Sequence, residues 1–173
     1  GLVLDAIEKM GLKENTLVVY LSDNGYLLNE HKRFEKHTMW EEATHQPMIF
    51  RLAENYRSGQ RSDAIVEYID VVPTILDLIG TEKMNQVQGK SFMPVIQGKT
   101  DEFREFAFSE YLQDNLAMVC TKKWKYMFTT GSRDLTIGYQ TGLGPSGIVH
   151  RLYDLENDPR ESTDVSERSE NKE

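Results

Sequence analysis

A single cysteine, Cys120, stands in the 173 residues, so no internal disulfide can form and thiolate metal clusters are excluded. No apolar run approaches the roughly 18 to 20 residues that cross a bilayer, and no charged-then-apolar leader opens the chain. Basic residues are the minority. With 20 Lys and Arg against 28 Asp and Glu, the net charge of -8 argues against nucleic acid or an anionic membrane as the main partner. No Asn-x-Ser/Thr acceptor occurs, which disfavours a glycosylated secreted eukaryotic protein. Residues 138–147 are glycine-rich but lack both Gly-x-Gly-x-x-Gly and the Lys-Ser/Thr of a phosphate cradle, so phosphate binding is not expected there.

What remains is ordinary globular material, 39% apolar and 28% charged, long enough to bury a real core. Its most telling stretch is Leu17-Val18-Val19-Tyr20-Leu21-Ser22-Asp23-Asn24-Gly25. The apolar part reads as a strand buried on both faces, as in a parallel sheet covered by helices. Ligands in open α/β sheets bind just beyond the carboxyl ends of such strands. A helix over residues 3–10, with Leu4, Ile7 and Met10 at helical spacing and Gly11 as its stop, precedes it. Helix, loop and buried strand make half of a βαβ unit. Such a strand needs neighbours on both sides, and few candidates follow. The expectation is a piece of a larger α/β domain, or a surface that self-associates to cover the strand.

Further along, Met39 to Ala43 predicts a short helix and Pro47 to Arg51 a second short strand. Residues 53–63 read as a loop and 64–67 as extended chain. Asp70 to Gly80 is a strong helix signal: Asp70 as cap, Pro73 in the first turn, and Val72, Ile75, Leu76 and Ile79 as one apolar stripe. Phe92 to Ile96 is a short helical piece ended by Gly98. Composition then shifts near residues 99–105. Runs at 106–111, 116–121 and 124–129, with a fourth at 151–155, suggest an antiparallel meander. Asp158 to Glu161 is a turn, and the acidic tail from Ser166 is expected to be frayed or solvated.

Asp23 and Asn24 by themselves fit a turn. As oxygen donors at a strand end they also fit a hard cation, which needs about six or more oxygens and so several others. Lys36 reads as a surface lysine unless its loop folds back over the strand end, where its ammonium suits an anionic ester. His31, His37 and His45 have no zinc spacing. Any of them could donate a proton near neutral pH. No role is assigned to His37, His45 or His150. Cys120, within Leu116 to Cys120, reads as a buried structural thiol.

Taken in order, these motifs resemble the later half of the sulfatase family. They are Thr16 to Gly25, Glu30-His31, Lys36, Trp40 to Thr44, Pro47 to Phe50, Asp70 to Gly80, Gln88 to Ser91, Leu152 to Leu155 and Asp158 to Glu161. The resemblance implies an α/β fold: the C-terminal part of an alkaline-phosphatase-like domain over residues 1–100. A small antiparallel-sheet and helix subdomain with the acidic tail would follow over 101–173. It implies that Asp23 and Asn24 contribute to a calcium site and that Lys36 contacts the sulfate. His31 falls in the family's Gly-Glu-His-Gly stretch, here Asn29-Glu30-His31-Lys32 with both glycines replaced, and is carried over as a substrate-pocket residue. The formylglycine nucleophile, made from Cys or Ser in Cys/Ser-x-Pro/Ala-x-Arg, would lie upstream, since Cys120-Thr121-Lys122-Lys123-Trp124 does not match.

The implied activity is hydrolysis of sulfate esters on a small molecule or glycan, by a periplasmic or extracellular bacterial parent enzyme. The 173 residues alone are expected to be inactive. Two alternatives stand beside it: a phosphodiesterase or phosphonate hydrolase of the same superfamily, and a non-catalytic recognition or assembly module. Asn24 favours the sulfatase, because those relatives more often place histidine or aspartate there.

Overall fold

A computed structural model describes residues 1–52, 56, 59–82, 84–111, 116–129 and 148–171. The chain forms two compact units. One comprises Gly1–Leu21 with Pro47–Arg104, the other Ser22–Gln46 with Glu105–Glu173.

In the first unit, helix α1 (Leu2–Lys9) ends where expected. Gly11 takes φ +68°, and the Leu12 N–H donates to the Ile7 carbonyl at 3.0 Å. Strand β1 (Val18–Leu21) pairs antiparallel with β2 (Met48–Arg51), Val18 opposite Arg51 and Leu21 opposite Met48. The expected parallel, doubly buried strand is therefore corrected. A parallel return needs a crossover, usually a helix, that packs back on the same sheet. Residues 22–46 instead join the other unit, with one helical turn, α2 (Glu41–Thr44), among them. Tyr20 is consequently 60% exposed. Leu2, Val3, Met10 and Ile49 are also exposed apolar residues of this unit.

Helix α3 (Val71–Leu78) follows a 3₁₀ turn at Tyr68–Asp70. Asp70 does not cap α3 with its side chain. Its carboxylate turns back to accept the Glu67 N–H at 2.9 Å, closing a capping box on the preceding turn. The buried face of α3 carries Pro73 and Thr74, while Val72 and Ile79 of the expected stripe are exposed. Thr74 Oγ1 accepts the Phe92 N–H at 3.1 Å, tying α3 to the entry of α4 (Met93–Ile96). Arg104 closes the unit with two hydrogen bonds to Asp70, from Nε at 2.7 Å and Nη2 at 2.5 Å.

The second unit holds a consecutive meander: β3 (Ala107–Tyr111), β4 (Leu116–Cys120), β5 (Trp124–Thr129) and β6 (Val149–Asp154). Alternation predicts these strands because one face is buried and the other is not. Met118, Met127 and Tyr153 join Leu27, Met39, Trp40 and Ala43 of residues 22–46 in one core. The helix packed with this sheet is thus α2, from earlier in the chain. Cys120 is half-buried, its thiol donates to the Thr121 carbonyl at 3.3 Å, and burial pushes its pKa up to about 11. The tail is not frayed at Ser166: a 3₁₀ turn forms at Ser169–Asn171, and Asn171 Nδ2 donates to the Val165 carbonyl at 2.9 Å. The glycine-rich run at 138–147 lies outside the described residues.

Candidate active-site segment

Asp23, Asn24, His31 and Lys36 all lie in residues 22–46 of the second unit. The segment opens with a polar turn. Ser22 Oγ donates to the Asn24 carbonyl at 2.8 Å, and the Asn24 N–H donates to Asp23 Oδ1 at 3.0 Å. This is the side-chain-to-backbone bonding that makes Asp, Asn and Ser turn residues. Asp23 stays exposed, so its carboxylate and the neighbouring carboxamide remain an all-oxygen set of the kind a hard cation prefers.

Gly25 decides where that turn sits. Its N–H donates to the Ala43 carbonyl at 3.1 Å, and a Cβ there would fall 1.7 Å from the Glu42 carbonyl oxygen. Only a residue without a side chain permits that approach.

Next comes a left-handed stretch, with φ of 100° at Asn29, 52° at His31 and 58° at Lys32. Asn29 and Lys32 are the two residues standing where the resembled pattern has glycine. The glycine-type backbone persists without glycine, at a strain of about 1 kcal/mol per residue. This turn lays the His31 ring flat on Trp40, with centroids 3.7 Å apart and planes 8° from parallel. His31 Nε2 comes within 3.7 Å of Glu42 Oε2, and both atoms are buried without a hydrogen bond. Burial lowers the His31 pKa below its usual 6.5, against the opposing pull of Glu42 and Glu30.

Lys36 stands between two anchored neighbours. Glu35 is buried and paired with Arg33, and its carbonyl accepts the Leu27 N–H at 2.8 Å. His37 stacks on Tyr111 with centroids 5.2 Å apart. With both neighbours turned inward, Lys36 is the residue that projects to solvent. The histidines go to separate partners: Trp40 for His31, Tyr111 for His37 and Glu41 for His45.

Three residues to which the sequence reading gave no role, Lys125, Glu41 and Glu161, tie this segment to the sheet. Lys125 of β5 has 0% side-chain exposure, and its ammonium lies 2.7 Å from Glu41 Oε1 and 3.0 Å from Glu161 Oε1. Glu161 Oε2 accepts the Glu41 N–H at 2.7 Å. Burial raises the Glu41 pKa, but the His45 hydrogen bond and the Lys125 charge outweigh it and hold Glu41 at about 2. For Glu161 burial wins, and its pKa is raised despite Lys125. The one local signal was a lysine at an inward position of an alternating strand. Nothing in sequence marks a pairing that spans 84 residues to Glu41.

The donor atoms of His31, Glu42 and Glu161 all lie within 4.8 Å of one another. The Glu161 carboxylate is already held by an ammonium and a backbone N–H, and that ammonium opposes a second cation beside it. The cluster is a charge network around His31, not a closed metal site.

A family model described as N-sulphoglucosamine sulphohydrolase, C-terminal, matches residues 29–173. The chain is 33% identical over 173 residues to an N-acetylglucosamine-6-O-sulfatase of Bacteroides thetaiotaomicron, covering 98% of this chain and 30% of that protein. It is 28% identical over 180 residues to human arylsulfatase K, covering 96% and 30%. Among solved structures, a protein in complex with its substrate D-glucosamine-2-N,6-O-disulfate superposes with a TM-score of 0.79 at 29% identity, over 97% of this chain and 33% of that one. A phosphonate monoester hydrolase of Agrobacterium radiobacter superposes at 0.74 with 20% identity, over 97% and 34%, a likeness of fold alone. The chain spans less than a third of the length of these curated relatives.

Proposed function

The chain belongs to the sulfatase family, and from that premise we propose that it supplies one wall of a site hydrolysing sulfate esters on a glucosamine-type sugar. The observation that carries this reading is the build of residues 22–46. There an exposed lysine and an exposed oxygen-donor turn are fixed by Gly25, the Glu35 and His37 anchors and helix α2. The substrate class rests on the relatives: one is an N-acetylglucosamine-6-O-sulfatase, and another is solved with a sulfated glucosamine as its substrate.

In this reading Asp23 and Asn24 are two ligands of a hard divalent cation, assigned as calcium. Their oxygen-only chemistry fits it, and further oxygens must come from elsewhere. The cation would supply positive charge for the sulfonyl oxygens. Lys36 contributes a fixed ammonium to the same developing charge, as positioned donors do in phosphoryl-type transfer. His31, stacked and carboxylate-flanked, is assigned to the pocket wall. The formylglycine nucleophile is assigned to sequence outside these 173 residues. We divide the chain functionally into an α/β part over 1–100 and an antiparallel part over 101–173. We place the parent enzyme in the periplasm or outside the cell, in keeping with its bacterial relatives. No described helix is long and apolar enough to cross a membrane. The exposed apolar residues around β1 form the surface through which the isolated chain would self-associate.

The purified chain should not turn over an aryl sulfate. A chimera in which it replaces the matching C-terminal part of the Bacteroides N-acetylglucosamine-6-O-sulfatase should hydrolyse 6-sulfated N-acetylglucosamine. A folded, metal-replete chimera that hydrolyses a phosphonate ester but no sulfate ester would transfer the assignment to the phosphonate hydrolases.

A further inference from the structure

Lys125 carries three N–H donors and is fully buried, so each donor needs an acceptor. Two donors are bonded, to Glu41 Oε1 at 2.7 Å and Thr44 Oγ1 at 3.2 Å, and Glu161 Oε1 pairs with the charge at 3.0 Å. Glu41 and Thr44 are the two ends of α2. That helix is a single turn, too short to be stable by itself, and Trp40 at its N-cap offers no side-chain bond. Glu161 takes over that duty from 120 residues away by accepting the Glu41 N–H at 2.7 Å.

The helix so held touches both halves of the candidate site. Its Glu42 carbonyl meets Gly25, its Ala43 carbonyl accepts the Gly25 N–H, and its Glu42 carboxylate and the preceding Trp40 flank the His31 ring. We propose that Lys125 and Glu161 are positioning residues, a buried charged clamp through which the C-terminal sheet fixes the Asp23–Gly25 turn and His31. A hydrophobic contact would hold the helix as firmly, but it would not set its rotation. Two directed hydrogen bonds to its two ends, with the Glu161 ion pair beside them, do, a specificity role that buried ion pairs serve in some proteins. The purpose of the clamp rests on the sulfatase reading; its mechanics do not.

Amide hydrogen exchange and imidazole NMR on the full 173-residue chain test it. In Lys125→Met, amides of residues 22–46 should exchange about tenfold faster or more, while those of β3 and β4 change by less than about threefold. The His31 ring signals, displaced by stacking on Trp40, should move toward free-imidazole positions. Equal acceleration in β3 and β4, or unmoved His31 signals, would overturn the clamp. Should that variant fail to fold, Glu161→Gln keeps an acceptor for the Glu41 N–H and should give the same split at about threefold. Inorganic sulfate added to the unmodified chain should shift the Lys36 amide. Silence there, with the exchange split intact, would remove the sulfate reading and leave the clamp standing.

Discussion

Each unit is built around a buried charge, and the two charges are treated differently. In the first unit Asp70, with no side-chain exposure, accepts from the Glu67 N–H at 2.9 Å, the Lys90 N–H at 2.8 Å and two nitrogens of Arg104. Burial raises its pKa, yet these donors outweigh burial and hold it below the usual 3.8. Gly89 lets the Lys90 N–H reach it, since a Cβ there would lie 1.9 Å from the Ile69 carbonyl oxygen. Every oxygen is satisfied, and the arrangement is structural. In the second unit Lys125 donates to Glu41 and Thr44 and is ion-paired with Glu161, but the network around it ends in atoms buried without hydrogen bonds: His31 Nε2, Glu42 Oε2 and Glu161 Oε1 itself. Natural cores leave few such atoms, and strain, a catalytic role or a bound water or ion accounts for those that remain.

The comparison breaks most visibly at Asp70. Asp70→Ala strands two backbone donors and leaves Arg104 with Glu67 alone, at 3.1 Å, and should destabilise the first unit by about 3 kcal/mol. Both tryptophans, Trp40 and Trp124, lie in the second unit. Urea unfolding should therefore show an early transition by far-UV circular dichroism that tryptophan fluorescence does not follow.

Acid should reach the second unit through Glu41. Its folded pKa of about 2 lies below the usual 4.5, so its contribution is full above pH 4.5 and is lost as pH falls toward 2. Glu161, with a raised pKa, works in the opposite direction and offsets part of that loss. His45 is raised above 6.5 by its hydrogen bond to Glu41, with burial opposing, so its contribution holds below pH 6.5 and fades as pH rises through the raised value. Tryptophan-detected stability should therefore peak between these limits, and Glu41→Gln should flatten both flanks.

Gly25→Ala sharpens the comparison further. The Cβ needs the Glu42 carbonyl to move, which should cost about 2 kcal/mol and shift the Asp23 and Asn24 amides in an NMR spectrum. The smallest effect is expected at Lys32. Lys32→Gly relieves a left-handed backbone and should raise the denaturation midpoint by about 0.5–1 kcal/mol in equivalent stability. His31 should stay stacked on Trp40.

The short-range features were legible in the sequence because their causes are local. Gly11 and Gly80 end helices with positive φ, Pro47 precedes a strand, and alternation over 124–129 marks one buried face. The partner of β1 was not legible, since an apolar run does not say whether the chain returns by a crossover or by leaving for another unit. The direction of the Asp70 carboxylate was hidden as well, because a capping residue can serve the turn before it as easily as the helix after it. Lys125, Glu161 and Glu41 meet across distances in sequence where charge carries no periodic mark. Asp23, Asn24 and Lys36 look locally like a turn and a surface lysine. Only their place in an ordered, sulfatase-like succession gave them chemistry.

The proposed chemistry rests most directly on one ammonium. In the active chimera, Lys36→Ala should lower kcat/KM for 6-sulfated N-acetylglucosamine by about a hundredfold or more, the scale of losing one charge-stabilising donor. Lys90→Ala, which keeps the backbone N–H on Asp70, should change it by less than about twofold. Equal rates for Lys36→Ala and the parent chimera would show that this segment does not face the sulfate.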